Sequence, residues 1–415
     1  MNNSSIGIDS LANPLPIEIT GIDATSNPLP VEIIGSERTQ FGEVKTAART
    51  PIIELNSSYG QSLLRDVVTE TNTGTVADGS GEIVISTGAT ASSVARIKSA
   101  DAGRYIPGYA AEVGTGVRFP TAPTGNHEAQ WGGRNVGETD GFFWGYDATG
   151  VYIARLDGGV VLGKVYQSSW NIDVADGTGT SGITLDMTAG NIFQIDFTWY
   201  GYGQIVWNIV AVQGRSQEPV PVHQIKVAGA PSTEDPNLQV FGQVINGATA
   251  SDFTGYVGGR QYSIVGRYRP SYRFSGEYRA AIATSTTSKP TVTFKSKTAF
   301  RSRSIKVDMM DIIPATKAVI VELVINGSLT GASYANPTNH TANETACEVD
   351  VSATAITGGV VIWSDYFAAG SGNKGLLAEA IVSLPIPEDQ PISLCVRTTT
   401  GTGTCAAFFR MREEW

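Results

Sequence analysis

Three cysteines in 415 residues, Cys347, Cys395 and Cys405, are too few and too widely spaced for a disulfide framework, and no zinc-ligand spacing occurs among them. One bridge within the last third of the chain stays open, beside the simpler reading of three buried thiols. Histidine is as scarce: His127, His223 and His340 lie in separate stretches and form no metal-binding pair. HExxH, GxSxG and P-loop patterns are missing, which removes the common metal-dependent and nucleophilic hydrolases and the phosphate-cradling enzymes. Positive charge is in deficit, with 29 Lys and Arg against 39 Asp and Glu and a formal charge of −10, so the chain is repelled by phosphate backbones and no nucleic-acid partner is expected. No apolar run approaches the roughly 20 residues that a spanning helix needs, and "MNNSSIGIDS" has no basic stretch followed by an apolar core. Neither membrane insertion nor a secretory leader is therefore expected. Long helical periodicity is also lacking; the one fair helix candidate is "SSYGQSLLRDVVTET", residues 57–71.

What is present points to β structure. The chain has 47 glycines, abundant Thr and Ser, and many short apolar stretches broken by Gly, Asn and Asp. "NIFQIDFTW" puts Phe193, Ile195, Phe197 and Trp199 on one face and Gln194, Asp196 and Thr198 on the other, and "QIVWNIV" follows in step after a "YGYG" turn, which predicts a hairpin. "GFFWGYDATGVYIARLDGGVVLGKVY" predicts three strands separated by "DATG" and "DGG". Trp131, Trp144, Trp170, Trp199 and Trp207 cluster in this region and suit the core of a two-sheet sandwich. The Pro-rich stretch at residues 214–240 predicts a loop, because Pro219, Pro221, Pro231 and Pro236 oppose a long regular element.

The resulting organisation is all-β: an extended N-terminal arm (residues 1–40), a large β-sandwich (41–283), a linker "ATSTTSKP" cut at 284–290, and a smaller C-terminal sandwich (291–415). Strands of the last are expected at "TVTFK", "KAVIVELVI", "GGVVIWS", "LAEAIVSL", "ISLCVRT" and "CAAFFRMREEW".

The arm is a tandem repeat, "GIDSLANPLPIEIT" at residues 7–20 and "GIDATSNPLPVEII" at 21–34. In each, two prolines fix φ and withhold backbone donors before a short alternating extended segment. Pro14, Leu15, Pro16, Ile17 and Ile19, with Pro28, Leu29, Pro30, Val31 and Ile33, are the candidate docking residues, suited to adding a strand to an exposed sheet edge.

Candidate chemistry is thin. "GTGTSG" (177–182) matches GxGxxG but follows no apolar strand and opens no helix, so it reads as a loop. Asn171, Asp173 and Asp176 in "WNIDVADGTGTSG" make a weak calcium candidate with EF-hand spacing off by one and Gly182 at position twelve, and Asx turns explain them without an ion. Glu138, Asp140 and Asp147 do not form the compact acidic run of a glycosidase strand. No enzyme, cofactor or metal is expected. "GRQYSIVGRYRPSYRFSGEYR" interleaves Arg260, Arg267, Arg269, Arg273 and Arg279 with aromatics, read as strands with Arg on the wetter face. Trp131, Tyr146, Tyr200 and Tyr202 are candidate sugar-stacking residues, although core packing is the commoner fate of such rings.

The stretch "DGFFWGYDATGVYIARLDGG", with "QSSWNIDVADGTGTSGITLDMTAGNIFQIDFTWYGYGQIVWNIV", resembles a family of virion structural proteins of tailed bacteriophages, over about residues 41–212. The resemblance implies a jelly-roll body, assembly in the host bacterial cytoplasm into a virion, contacts with capsid, neck or tail subunits, and a homo-oligomer, a trimer in the first instance. It carries over no catalytic residues. Two functions follow as expectations: a non-enzymatic appendage or decoration protein anchored by its arm, or a lectin-like module for host surface glycans.

Overall fold

The computed structural model describes residues 49–213, 216–300, 302–370 and 390–414. The duplicated arm, including all ten of its candidate docking residues, and the strand expected at 377–384 lie outside them.

The protein is built almost wholly of β-strands arranged as two sandwiches. In the first, one sheet runs from edge to edge as Ser216–Lys226, Gln204–Gln213, Asn191–Phe197, Ala110–Arg118, Thr254–Val265, Ile83–Ser86 and Thr75–Asp78, and Arg49–Leu55 pairs with the remaining length of Thr254–Val265. The facing sheet runs Val160–Tyr166, Gly150–Asp157, Gly141–Asp147, Glu128–Arg134, Gln239–Ile245, Val94–Ser99 and Asp66–Thr71. The pairings within both are antiparallel with long-range crossovers, the arrangement of a jelly-roll-like sandwich.

Strict alternation explains the core. Phe193, Ile195 and Phe197 face inward while Gln194 and Asp196 face outward, and Ile205, Trp207 and Ile209 repeat the pattern on the neighbouring strand. Trp131 and Trp144 sit directly opposite each other across a strand pair, and both rings meet Phe193 at centroid distances of 5.0 and 4.8 Å. Trp170 joins them edge-on, 5.5 Å from Trp144. Rings of this size fill the gap between two sheets with few side chains. The outward face of the seven-stranded sheet carries a second, small cluster of Phe143, Tyr152 and Phe241. Cations cover it: the Arg134 guanidinium lies 4.4 Å from the Phe241 ring centroid and Lys164 Nζ lies 4.2 Å from that of Tyr152. Burial, with Arg96 nearby, brings the Arg134 guanidinium down to about 10.

The second sandwich packs a three-stranded sheet, Tyr272–Thr284, Gly403–Glu414 and Ile305–Pro314, on a five-stranded one ordered Cys347–Asp350, Lys289–Ser296, Ile392–Thr398, Val319–Ile325 and Val360–Phe367. Its core includes Phe294, Leu323, Leu394 and Phe409. Cys347, Cys395 and Cys405 are free and buried there, and burial pushes the Cys395 thiol up to about 12 and Cys405 to about 11.

Four expectations change. The chain passes between sandwiches at residues 266–271, not at 284: strand Tyr272–Thr284 pairs along its length with Gly403–Glu414, so "ATSTTSKP" bridges two strands of one sandwich. Residues 216–226 form an eleven-residue strand despite Pro219 and Pro221, because it lies at a sheet edge where a missing N–H breaks only part of the ladder. The helix candidate yields one 3-10 turn, Ser57–Tyr59, and then the strand Asp66–Thr71, in which Val67 and Val68 pair with Lys98 and Ile97.

Arg260 is also not on a wet face. Its side chain is 2% exposed and its Nη2 lies 2.6 Å from Asp66 Oδ1, itself 3% exposed. Removing one charge from such a pair strands the other in the interior. Asp66→Asn is expected to destabilise the protein by about 3–5 kcal/mol, seen in urea titration as a lower midpoint with an unchanged slope.

Candidate functional site

Where the two sandwiches meet they leave a cleft of about 730 Å³. Four aromatic side chains from four separate segments line it: Tyr105 and Trp199 from the first sandwich, Tyr268 from the crossing segment and Phe300 from the second. Asn135, Glu234, Asp235 and Arg269 add polar groups to the wall.

The rings are held in place. The Tyr105 hydroxyl accepts the Trp199 backbone N–H at 2.7 Å and donates to the Tyr109 carbonyl at 2.9 Å. Trp199 Nε1 donates to the Thr233 carbonyl at 2.9 Å, and the two rings meet edge-on at 6.1 Å. Trp199 ends the inward-facing series of its strand and remains partly exposed, so one part of its surface packs and the rest borders the cleft. Burial raises the Tyr105 hydroxyl above its ordinary range.

The far wall rests on Glu414. Its Oε1 lies 3.1 Å from Lys306 Nζ, and its Oε2 lies 3.2 Å from the Tyr268 hydroxyl, which donates to it, and 3.7 Å from Arg104 Nε. Arg104, from the first sandwich, donates Nη1 to the Ser302 carbonyl of the second at 3.1 Å and Nη2 to Asp101. Burial and the Glu414 charge together push the Tyr268 hydroxyl well up. Asp235 is likewise engaged, since its Oδ1 accepts both the backbone and side-chain N–H of Asn237 at 3.0 and 2.8 Å.

The candidate stacking residues separate by environment. Trp131 is fully buried in the first core, where its ring contacts Phe119 and Phe193, so it offers no face to a ligand. Tyr146 is partly buried against the same core, edge-on to Phe119 at 5.9 Å. Tyr200 and Tyr202 are 57% and 63% exposed on the turn that follows Trp199, and neither is among the residues lining the cleft. Tyr200 holds a φ of 43°, a conformation that costs a non-glycine residue free energy. Of the four rings lining the cleft, Trp199 is among the tryptophans that the sequence assigns to the core, Tyr268 lies in the Arg-aromatic stretch read as strands, and Tyr105 and Phe300 carry no local signal.

The calcium candidates do not converge. Asn171 bonds the backbone of Gln224 through both its oxygen and its nitrogen, Asp176 accepts the Thr178 N–H as an Asx turn, and Asp173 staples its loop by accepting the Ala175 and Ser181 N–H groups at 2.8 Å each. Burial alone would raise the Asp173 carboxyl, but these amides outweigh it and hold it below the usual range. Among the described residues no group of three or more metal-ligating side chains is assembled, and no helix is long and apolar enough to cross a membrane. His127 bonds the Ser251 carbonyl, His223 accepts the Asn171 N–H, and His340 lies near the Phe274 carbonyl, three unrelated places. A second groove, of about 570 Å³ on the outward face of the eight-stranded sheet, is floored by Gly114 and Gly116 and has no aromatic ring in its lining.

No protein-family model matches the chain, and no curated protein does. Solved structures that resemble it include the metal-free carbohydrate recognition domain of Emp46p (9% identity, 50% of this chain and 91% of that one, TM-score 0.31). A Bacillus licheniformis β-glucanase aligns at 12% identity over 51% of this chain and 97% of its own, TM-score 0.32. A legume lectin-like domain from Entamoeba histolytica aligns at 11% identity over 48% and 89%, TM-score 0.29. At such scores the similarity says nothing of ligand or reaction.

Glu414→Gln is expected to uncouple the sandwiches, since it removes the charge shared by Arg104 and Lys306. Scanning calorimetry should then resolve two unfolding transitions where the wild type has one.

Proposed function

We propose that the protein is a non-catalytic saccharide-binding module. The observation that carries this reading is the seam cleft, in which Tyr105, Trp199, Tyr268 and Phe300 surround a space bordered by amide, carboxylate and guanidinium groups. Sugars present an apolar C–H face, which stacks on rings, and a rim of hydroxyls, which bond planar polar side chains; a concave site with both kinds of group meets both needs. Binding rather than hydrolysis is favoured because Glu414 spends both of its oxygens, and Asp235 its Oδ1, on partners within the protein, which leaves Glu234 as the cleft carboxylate without such a tie. Glycoside cleavage needs two carboxyl groups flanking the bond, one of them ready to give a proton. A glycan array followed by calorimetry tests this reading. Trp199→Ala should weaken the leading saccharide at least about tenfold, or about 1.4 kcal/mol, while Trp131→Phe should alter stability and leave affinity unchanged. An array without hits would overturn the proposal.

The setting we propose is an oligomeric appendage of a tailed-phage particle. Its support is in the sequence: the resemblance over residues 41–212 and the duplicated Pro-bracketed segments at 7–34. Deleting residues 1–34 should leave saccharide binding intact and abolish incorporation into particles, measured by protein content of purified virions. Normal occupancy by the truncated chain would rule the anchoring role out.

A further inference from the structure

We infer that the ligand is a polymer, and that it leaves the cleft along the outward face of the strand pair Tyr272–Thr284 and Gly403–Glu414. This inference rests on the saccharide reading of the cleft and adds a second site to it.

The register sets the face. Tyr272 pairs with Glu414, Phe274 with Arg412, Gly276 with Arg410 and Tyr278 with Phe408. The alternate residues, Ala407, Phe409 and Met411, are in the core of the second sandwich, so these eight side-chain positions point outward. Glu414 belongs to this row and also lines the cleft, as does Ser271 just before Tyr272. The row therefore begins in the cleft wall.

The rings are presented rather than packed away. Tyr272, Phe274 and Tyr278 are 43%, 47% and 55% exposed. Between the last two, glycine at 276 leaves room for the Phe408 ring, whose Cζ would lie only 2.9 Å from a Cβ there. A ring thus stands at each successive step, and from Tyr272 to Tyr278 the strip runs about 20 Å at the strand rise of about 3.4 Å per residue. Arg412 lies 4.7 Å from the Tyr272 ring centroid and Arg410 5.2 Å from that of Phe274, while Arg410 Nε is 2.6 Å from Asp308 Oδ2. Apolar rings alternating with planar guanidinium groups, that of Arg410 paired with Asp308, suit a hydroxyl-rich chain better than an aliphatic protein surface. Strand addition is disfavoured, because His340 Nε2 lies 3.2 Å from the Phe274 carbonyl and occupies the edge of this strand. The open surface is the face.

The test uses the full chain with dextran, laminarin, chitin oligomers and lipopolysaccharide O-chains as probes in affinity electrophoresis, then the disaccharide and octasaccharide of whichever polymer responds. The octasaccharide should bind about tenfold more tightly than the disaccharide. The combined variant Tyr272→Ala, Phe274→Ala, Tyr278→Ala should lose that gain and keep disaccharide affinity, whereas Trp199→Ala should weaken both. An octasaccharide that binds no better than the disaccharide, or a gain that survives in the strip variant, overturns the inference and leaves the cleft reading standing. If no probe binds wild-type protein, the cleft reading fails and the strip with it. If the strip variant changes the sedimentation mass and not the octasaccharide affinity, the face is a contact between copies and the inference is wrong.

Discussion

One carboxylate holds the seam together. Glu414 answers Arg104 from the first sandwich, Tyr268 from the crossing segment and Lys306 from the second, so three parts of the chain converge on its two oxygens. The Glu414 and Arg104 side chains are each 6% exposed, and charges so far from water are tolerated only when each has a partner in good geometry. Arg104 meets that demand by donating also to the Ser302 carbonyl across the seam. The distance between the two walls of the cleft, and with it the spacing of Trp199 and Tyr268, follows from this set of contacts rather than from either sandwich alone.

The first sandwich supplies the rigidity that such a seam needs. Its indoles interlock between the sheets, and the same strands turn a second set of rings outward beneath Arg134 and Lys164. Lys164 protects apolar ring surface while keeping its head near water, and the Arg134 guanidinium is itself largely buried over its rings, which lets a sheet be buried on one face and half-buried on the other. The outward face of the second sandwich uses the same device with Arg410 and Arg412, but there the rings stay open.

Much of this architecture is legible in the sequence because period-two alternation is a local property. The three strands between residues 141 and 166 and the hairpin at 191–213 fall where the pattern puts them. What resists reading is whatever depends on a partner far along the chain. Strand Tyr272–Thr284 carries aromatics and arginines that look like the end of one body, and only its pairing with Gly403–Glu414, more than 100 residues on, assigns it to the next. Pro219 and Pro221 signal a loop unless one knows that the strand is an edge. Trp131 differs from Trp199 only in which neighbour each finds, since both lie in alternating stretches. The cleft is the extreme case: Tyr105, Trp199, Tyr268 and Phe300 span nearly 200 positions, and no window of sequence contains them together.

The pairing of Tyr272 with Glu414 also has a mechanical side. Tension transmitted from the first sandwich enters the second at Tyr272, at the very end of a long antiparallel ladder, where a lone strand would peel away one hydrogen bond at a time. Because Glu414, the neighbour at that end, is itself clasped to Arg104 in the first sandwich, both strands are pulled together. The load is shared across many bonds at once, and the joint between the sandwiches resists unzipping.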